Sequence, residues 1–126
     1  MLTSVMVAVV GLTISSCKED SEAPLITINT PTSTDGFAWG DTVHASVTFE
    51  DNKNLYSFQV YIGELNGTGS IDWPYSITNN LSGKEYTWEQ DLVVPDSVPT
   101  YLWLHCKATD AATLESTQNI KMWFVE

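Results

Sequence analysis

The sequence contains no arginine and only five lysines, against sixteen acidic residues, and its formal net charge is −11. Proteins that bind phosphate backbones need a basic surface, and this chain has too few cations to build one. We therefore exclude DNA and RNA as partners. Divalent cations and neutral ligands fit this charge balance better.

Histidine is also scarce, with His44 and His105 as the only two in the chain. Both alternate with apolar neighbours, which predicts histidines on the outer faces of strands rather than members of a catalytic pair. No G-x-S-x-G nucleophile elbow occurs. Because the residues assemble no clear nucleophile, base or metal constellation, we predict that the protein is not an enzyme.

Long hydrophobic runs are missing apart from one near the N-terminus. Residues 5–14 (VMVAVVGLTI) are apolar and uncharged, too few for the roughly 20 residues of a membrane-spanning helix and typical in length of a signal-peptide core. The next residues, Ile14-Ser15-Ser16-Cys17, resemble the lipobox of bacterial lipoproteins, in which an apolar and two small residues precede the acylated cysteine. We predict a lipoprotein signal peptide over residues 1–16 and lipidation of Cys17. The alternative is an ordinary secretory signal followed by a chance cysteine.

A charged segment follows the cysteine. Lys18-Glu19-Asp20-Ser21-Glu22 resembles the export signal of Bacteroidota-type lipoproteins displayed on the outer face of the outer membrane, although a solvated linker has the same composition. We predict an acidic tether over residues 17–23. We also predict that the protein is displayed on the cell surface and that its acyl chains anchor it in the outer membrane, which is its membrane partner. Lipidation leaves Cys106 without a disulfide partner, and its alternating apolar surroundings predict a core position.

From residue 24 onward the hydrophobic period is two, and Gly, Pro, Asn and Asp clusters interrupt the apolar runs. This pattern predicts one all-β domain over residues 24–126, with about seven strands in roughly 100 residues, the signature of two stacked sheets in an immunoglobulin-like antiparallel β-sandwich. The expected strands are 25–29, 42–50, 55–62, a short one at 73–77, 86–94, 101–110 and 118–125.

Three segments carry a family resemblance: 43–52 (VHASVTFEDN), 55–62 (LYSFQVYI) and 104–111 (LHCKATDA). Their order of a B strand, an acidic D-N turn, a C strand and an F strand ending in A-x-D resembles bacterial immunoglobulin-like domains. The opening GDTV and F-x-D-N-x-x-L at residues 40–55 is also similar to a group of Bacteroidota lipoproteins of unknown function. The resemblance covers most of residues 24–126 and implies the sandwich fold, whereas it implies little about function.

The two ends of such a sandwich collect different side chains. Because the first strand runs antiparallel to the second, the tether enters where strand 42–50 finishes, and Glu50, Asp51 and Asp110 lie at that end. Their carboxylates are the hard oxygen ligands that calcium prefers. They also suit Asx turns that cap the loops. Calcium is therefore the one cofactor that the sequence raises, with Asx turns as the alternative.

The opposite end presents loops 30–40, 63–72 and 95–99, with aromatic rings beside them. Such rings stack on sugar faces or anchor protein partners, and they also fill the end of a core. The candidate ligand-binding residues are Trp39, Trp73, Tyr75 and Tyr101. Outward-facing Trp103 and Lys107 form a second candidate patch, and Thr42 and Ser97 lie in tripeptides that resemble O-glycosylation acceptors.

We therefore expect a non-catalytic surface module that binds a glycan or a protein partner, as an accessory in adhesion or nutrient capture. The alternative is a structural lipoprotein of the cell envelope without a dedicated ligand, whose aromatic residues fill the core. A small hydrolase would instead need a cleft lined by paired acids or by His44. Solvent exposure of Trp39 and Trp73 separates the first two.

Overall fold

The computed structural model describes residues 21–126, so the predicted signal peptide, Cys17 and most of the tether lie outside the described residues. Eight strands and no helix make up this range. They are β1 (Leu25–Thr30), β2 (Gly36–Ala38), β3 (Thr42–Glu50), β4 (Leu55–Gly63), β5 (Ser76–Asn80), β6 (Glu85–Val93), β7 (Tyr101–Asp110) and β8 (Glu115–Val125). Consistent with this, residues 21–126 contain no helix with the length and hydropathy needed to cross a membrane.

The strands form two sheets that pack face to face. The smaller sheet has the order β1-β3-β6 and the larger sheet has the order β2-β8-β7-β4-β5. Every pair is antiparallel except the edge pair of β2 with β8, which is parallel. The predicted all-β, immunoglobulin-like sandwich is therefore confirmed.

Period-two patterning explains which faces meet. On β3, Val43, Ala45, Val47 and Phe49 are buried while the residues between them are not. On β7, the alternate residues Leu102, Leu104, Cys106 and Ala108 are buried, and of the residues between them only His105 is buried too. Successive side chains of a strand point to opposite faces, so each sheet contributes one apolar face to a shared core and leaves the other face outward.

Two predicted strands begin three residues from their observed starts, whereas β1, β4 and β6 differ from the prediction by one residue at one or both ends. The short strand expected at 73–77 begins only at Ser76, because Trp73 turns into the core and Pro74 has no N–H to donate to a ladder. The last strand starts at Glu115 rather than residue 118. Its first three residues are polar and pair with β7, but they show no apolar alternation from which a strand could be predicted.

The strand β2 is missing from the prediction altogether. Its three residues, Gly36 to Ala38, are too few for a period to register, and they pair with the end of β8. The chain then continues this ladder as the Trp39 amide donates to the Val125 carbonyl over 3.0 Å. Long-range pairing thus creates a strand that local sequence does not specify.

The first strand runs antiparallel to β3, as expected from the sequence. Leu25 pairs with Glu50, so β1 begins beside the end of β3. The Ser116 hydroxyl donates to the Pro24 carbonyl and fixes this start against β8. The β3–β4 and β7–β8 turns consequently share the end of the sandwich from which the chain emerges.

Candidate binding face

The loop aromatics predicted as ligand contacts point mostly into the sandwich. Trp73 is 6% exposed and meets Phe124 edge-on with ring centroids 5.7 Å apart. Trp39 is half-buried against the core. Tyr75 is also half-buried, 6.3 Å from the Trp88 ring, and burial raises the pKa of its phenol. The Trp73 ring is therefore a core element, and these three residues do not form an exposed platform.

Tyr101 lies elsewhere, on the outer face of the five-stranded sheet, within an aromatic cluster. This cluster consists of Tyr101, Trp103, Lys121 and Trp123. The rings of Tyr101 and Trp123 meet edge-on at 5.4 Å, and both residues keep about two fifths of their surface exposed, 43% and 41%. The Lys121 ammonium lies 4.1 Å from the Tyr101 centroid, 4.2 Å from that of Trp123 and 5.7 Å from that of Trp103.

Register explains why the cluster forms. Tyr101 pairs with Trp123, and Trp103 pairs with Lys121, so the four side chains occupy two adjacent rows of the same outer face. Side chains opposite each other on antiparallel strands approach to about 5 Å. The sequence-based patch of Trp103 and Lys107 lies on this face too, although Lys107 belongs to a row further along.

The middle of the face is built around Tyr61 and His105. Their rings stack at 4.7 Å with an interplanar angle of 16°. The loop of residues 64–69 folds over them: the His105 Nε2 donates to the Glu64 carbonyl over 2.7 Å, and the Tyr61 hydroxyl donates to the Gly67 carbonyl over 3.0 Å. His105 is therefore buried, at 8% exposure, although it sits on the outer face as its alternation indicated.

Gly63 allows this loop to double back. It forms an isolated antiparallel bridge with Gly69, and a Cβ at Gly63 would meet the Thr68 carbonyl oxygen and lie 2.9 Å from the Gly69 Cα. The close backbone approach requires glycine. The loop thus folds back over β4 and covers the rings of Tyr61 and His105.

Two depressions flank this loop, one on each side of Tyr61. The larger has a volume of about 430 Å³ and lies towards Tyr75 and Ser76. The smaller, of about 310 Å³, runs across β7 and β8 and is lined by polar side chains including Lys107, Thr117 and Asn119. Gln59 and Tyr61 line both. Amide, hydroxyl and ammonium groups therefore line the surface on either side of the Tyr61 ring.

Two of the three carboxylates proposed for calcium accept hydrogen bonds from nearby backbone amides. Asp51 Oδ2 accepts from the amides of Lys53 and Asn54, over 3.0 and 2.9 Å, and Asp110 Oδ1 accepts from those of Ala112 and Leu114, over 2.9 and 2.8 Å. These are Asx turns, the alternative that the sequence left open.

The second carboxylate oxygens, Asp51 Oδ1 and Asp110 Oδ2, are buried without a hydrogen-bond partner. Glu50 is half-buried at the end of β3. Within residues 21–126, no group of three or more acidic, histidine or cysteine side chains is placed to hold a metal ion. Calcium binding stays a prediction.

The remaining predicted residues are distributed over the molecule. Thr42 and Ser97 are exposed, as glycosylation requires, on neighbouring segments joined through the Val94 amide and the Asp41 carbonyl. Cys106 is buried in the core as predicted, and desolvation raises the pKa of its thiol to about 12. A thiol with that pKa stays protonated and unreactive near neutral pH.

Sequence reasoning missed Gln59, Tyr61, Lys121 and Trp123 as members of one surface. A signal was present, since the alternate residues 117, 119, 121 and 123 of β8 face away from buried Met122 and Phe124. What the sequence did not give was the pairing of β8 with β7 and β4, which joins these residues into one face.

Comparison with known proteins bears on the fold alone. The chain matches no known family profile and no curated protein. Its fold is similar to part of catalytically inactive OgpA from Akkermansia muciniphila, solved in complex with an O-glycopeptide substrate, with a TM-score of 0.53 and 12% identity. That match covers 82% of this chain and 29% of OgpA, so the chain spans less than a third of that protein's length.

A second similar fold is the Niemann-Pick type C2 protein from the Japanese carpenter ant. The TM-score is 0.51 and the identity 10%, and the match covers 85% of this chain and 98% of the ant protein. A small protein that consists almost entirely of this sandwich therefore exists as an independent chain.

Proposed function

We propose that this chain is a non-catalytic, lipid-anchored module of the bacterial cell surface that binds a glycan on the outer face of its five-stranded sheet. One observation carries the proposal: the exposed rings of Tyr101 and Trp123 continue, on the same face, into polar side chains that flank Tyr61. Flat rings stack on the apolar faces of sugars, and amide, hydroxyl and ammonium groups bind sugar hydroxyls.

The proposal moves the ligand from the loop end to the sheet face. Trp73 is buried and Trp39 is partly buried, so these two rings at the loop end favour the core-filling role that the alternative of a structural lipoprotein assigns to them. Tyr101 remains in the proposed site, where the sheet register places Lys121 and Trp123 beside it. An accessory role in adhesion or nutrient capture follows from surface display.

Glycan-array binding of the purified domain tests this function, with variants chosen by location. We expect W123A and Y101A to lose binding, because their rings form the exposed platform. W39A is the matched control, since its ring packs against the core and not on the outer face of the sheet. Arrays that stay blank for the wild-type domain would refute glycan binding and favour the structural lipoprotein.

Incorporation of radiolabelled palmitate tests the anchor separately. We expect label in the wild-type protein and none in Cys17→Ser, because only the thiol carries the diacylglycerol as a thioether. Protease shaving of intact cells then distinguishes display on the surface from the inner leaflet. Failure of the labelling would remove the anchor from the proposal, and failure of the shaving would remove surface display, and neither result would affect the sheet face.

A further inference from the structure

The outer face of the three-stranded sheet is strongly acidic, whereas that of the five-stranded sheet carries both signs of charge. On the three-stranded sheet, the outward positions of β3 and β6 hold four acids and no lysine: Glu50, Glu85, Glu89 and Asp91. On the five-stranded sheet, the outward strand positions hold Lys107 and Lys121, which are two of the four lysines in residues 21–126, and one acid, Glu115. A strongly acidic chain thus concentrates cations on the face that carries the exposed rings.

The charge of Lys121 is not neutralised by the described part of the chain. No carboxylate of residues 21–126 lies within 4.0 Å of its ammonium, which is held instead by the rings of the aromatic cluster. Contacts with ring faces position a cation without removing its charge. Lys121 therefore presents a positioned ammonium beside the surface on which a sugar would stack.

Lys107 is only weakly engaged. Its ammonium lies 3.5 Å from the Glu115 carboxylate, and both side chains are about half exposed. Exposed pairs of this kind contribute little and are screened by salt. An anion on a ligand can therefore compete with Glu115 for Lys107, which also lines the smaller depression.

Resting on the proposed glycan-binding role of this face, we propose that its ligand is an acidic glycan with carboxylate or sulfate groups on more than one sugar unit. Lys107 pairs with Thr117, four residues before Lys121 on β8, so strand geometry separates the backbone positions of the two lysines by about 14 Å. One sugar ring does not span that distance. A charged oligosaccharide laid along the face meets both ammonium groups while a ring stacks on Trp123.

Paired ligands test the charge requirement. An array of carboxylated and sulfated oligosaccharides is printed beside carboxyl-reduced and desulfated derivatives of the same molecules, so that each pair differs only in charge. We expect the acidic member to bind and its neutral partner to bind at least tenfold more weakly. The carboxylated and sulfated arms identify which acid group the site takes. Binding of the acidic members should weaken as salt rises.

Lysine variants test whether the dependence on ligand charge arises from this face. We expect K107Q/K121Q to weaken binding of the acidic oligosaccharide about tenfold, which corresponds to about 1.4 kcal/mol for the two exposed ammonium groups together. K53Q/K84Q removes the same charge from exposed turns outside this face and is the matched control, with no expected change. K121R keeps the charge over the rings and should retain binding.

The outcomes separate the two proposals. If neutral derivatives bind as tightly as their acidic parents and W123A weakens both, the glycan-binding role stands and the acidic ligand is wrong. If K53Q/K84Q weakens binding as much as K107Q/K121Q, the effect is one of overall charge and the assignment to Lys107 and Lys121 fails. If no oligosaccharide of either kind binds, both proposals are refuted.

Discussion

Replacing Trp73 or Trp123 by alanine separates a ring that stabilises the fold from a ring that serves the outer face. Trp73 is 6% exposed and Trp123 is 41% exposed. Truncation of a core tryptophan typically costs about 3–5 kcal/mol. Trp123→Ala removes an aromatic pair with Tyr101, about 0.5–1.5 kcal/mol, and a cation–π contact with Lys121, about 0.5–1 kcal/mol. We expect losses of about 3–5 kcal/mol for Trp73→Ala and about 1–2.5 kcal/mol for Trp123→Ala.

Ligand affinity should show the opposite order. An interfacial tryptophan that is a hot spot contributes about 2 kcal/mol or more, so Trp123→Ala should raise the Kd for a bound glycan about 30-fold. Trp73→Ala should leave the Kd within about twofold wherever the domain remains folded, because its ring does not reach the sheet face. Urea unfolding followed by far-UV circular dichroism gives the stabilities, and titration calorimetry gives the affinities.

Two results would refute this reasoning. If Trp123→Ala destabilises the domain as much as Trp73→Ala, the outer ring is a structural element and its exposure has no functional meaning. If Trp123→Ala binds glycan with native affinity, the aromatic cluster is not the platform. Equal m-values in urea are the control, since they show that each variant unfolds from the same compact state.

Three further predictions concern the loops and the core. Asp110→Ala leaves two backbone amides without their acceptor and should lower the free energy of unfolding by about 1–3 kcal/mol, more than Asp110→Asn, which retains an acceptor oxygen. Thermal melts in calcium and in EDTA test the calcium prediction as well, because only a bound ion makes the wild-type protein more stable in calcium. Gly63→Ala should speed amide hydrogen exchange in loop 64–69, whereas Gly36→Ala, with open space around its Cβ, should not. Burial raises the pKa of the Cys106 thiol from 9.0 to about 12. Between these two values the unfolded chain releases the thiol proton and the folded chain keeps it, so the free energy of unfolding should fall by about 1.4 kcal/mol per pH unit above pH 9. Cys106→Ala should lack this loss in urea melts at pH 8 and 10.

The strands with strong alternation were predicted closely. Both β3 and β7 have the bounds expected from sequence, since apolar residues at every second position specify an extended chain with one buried face. The Asx turns at Asp51 and Asp110 were also among the expectations, because aspartate at a strand end readily accepts from backbone amides. These are local features, and local interactions decide them.

The candidate site was predicted much less well. Trp39, Trp73 and Tyr75 were grouped by their nearness to loops, yet hydrophobic burial draws all three against the core. Tyr101 was chosen correctly as an exposed ring, but its partners Lys121 and Trp123 lie about twenty residues further along the chain. No local signal links residues at that separation.

By itself, the sequence determined the alternation of strands, the inward position of Cys106 and the overall acidity of the chain, because each depends on residue type and on neighbours along the backbone. Only the tertiary structure decided that β8 lies between β2 and β7, which sets Trp123 beside Tyr101 and Lys121 between the rings. It also divided the charge between the two outer faces. Strand order and register arise from packing two sheets around one core, so a surface assembled across strands exists only in the folded molecule.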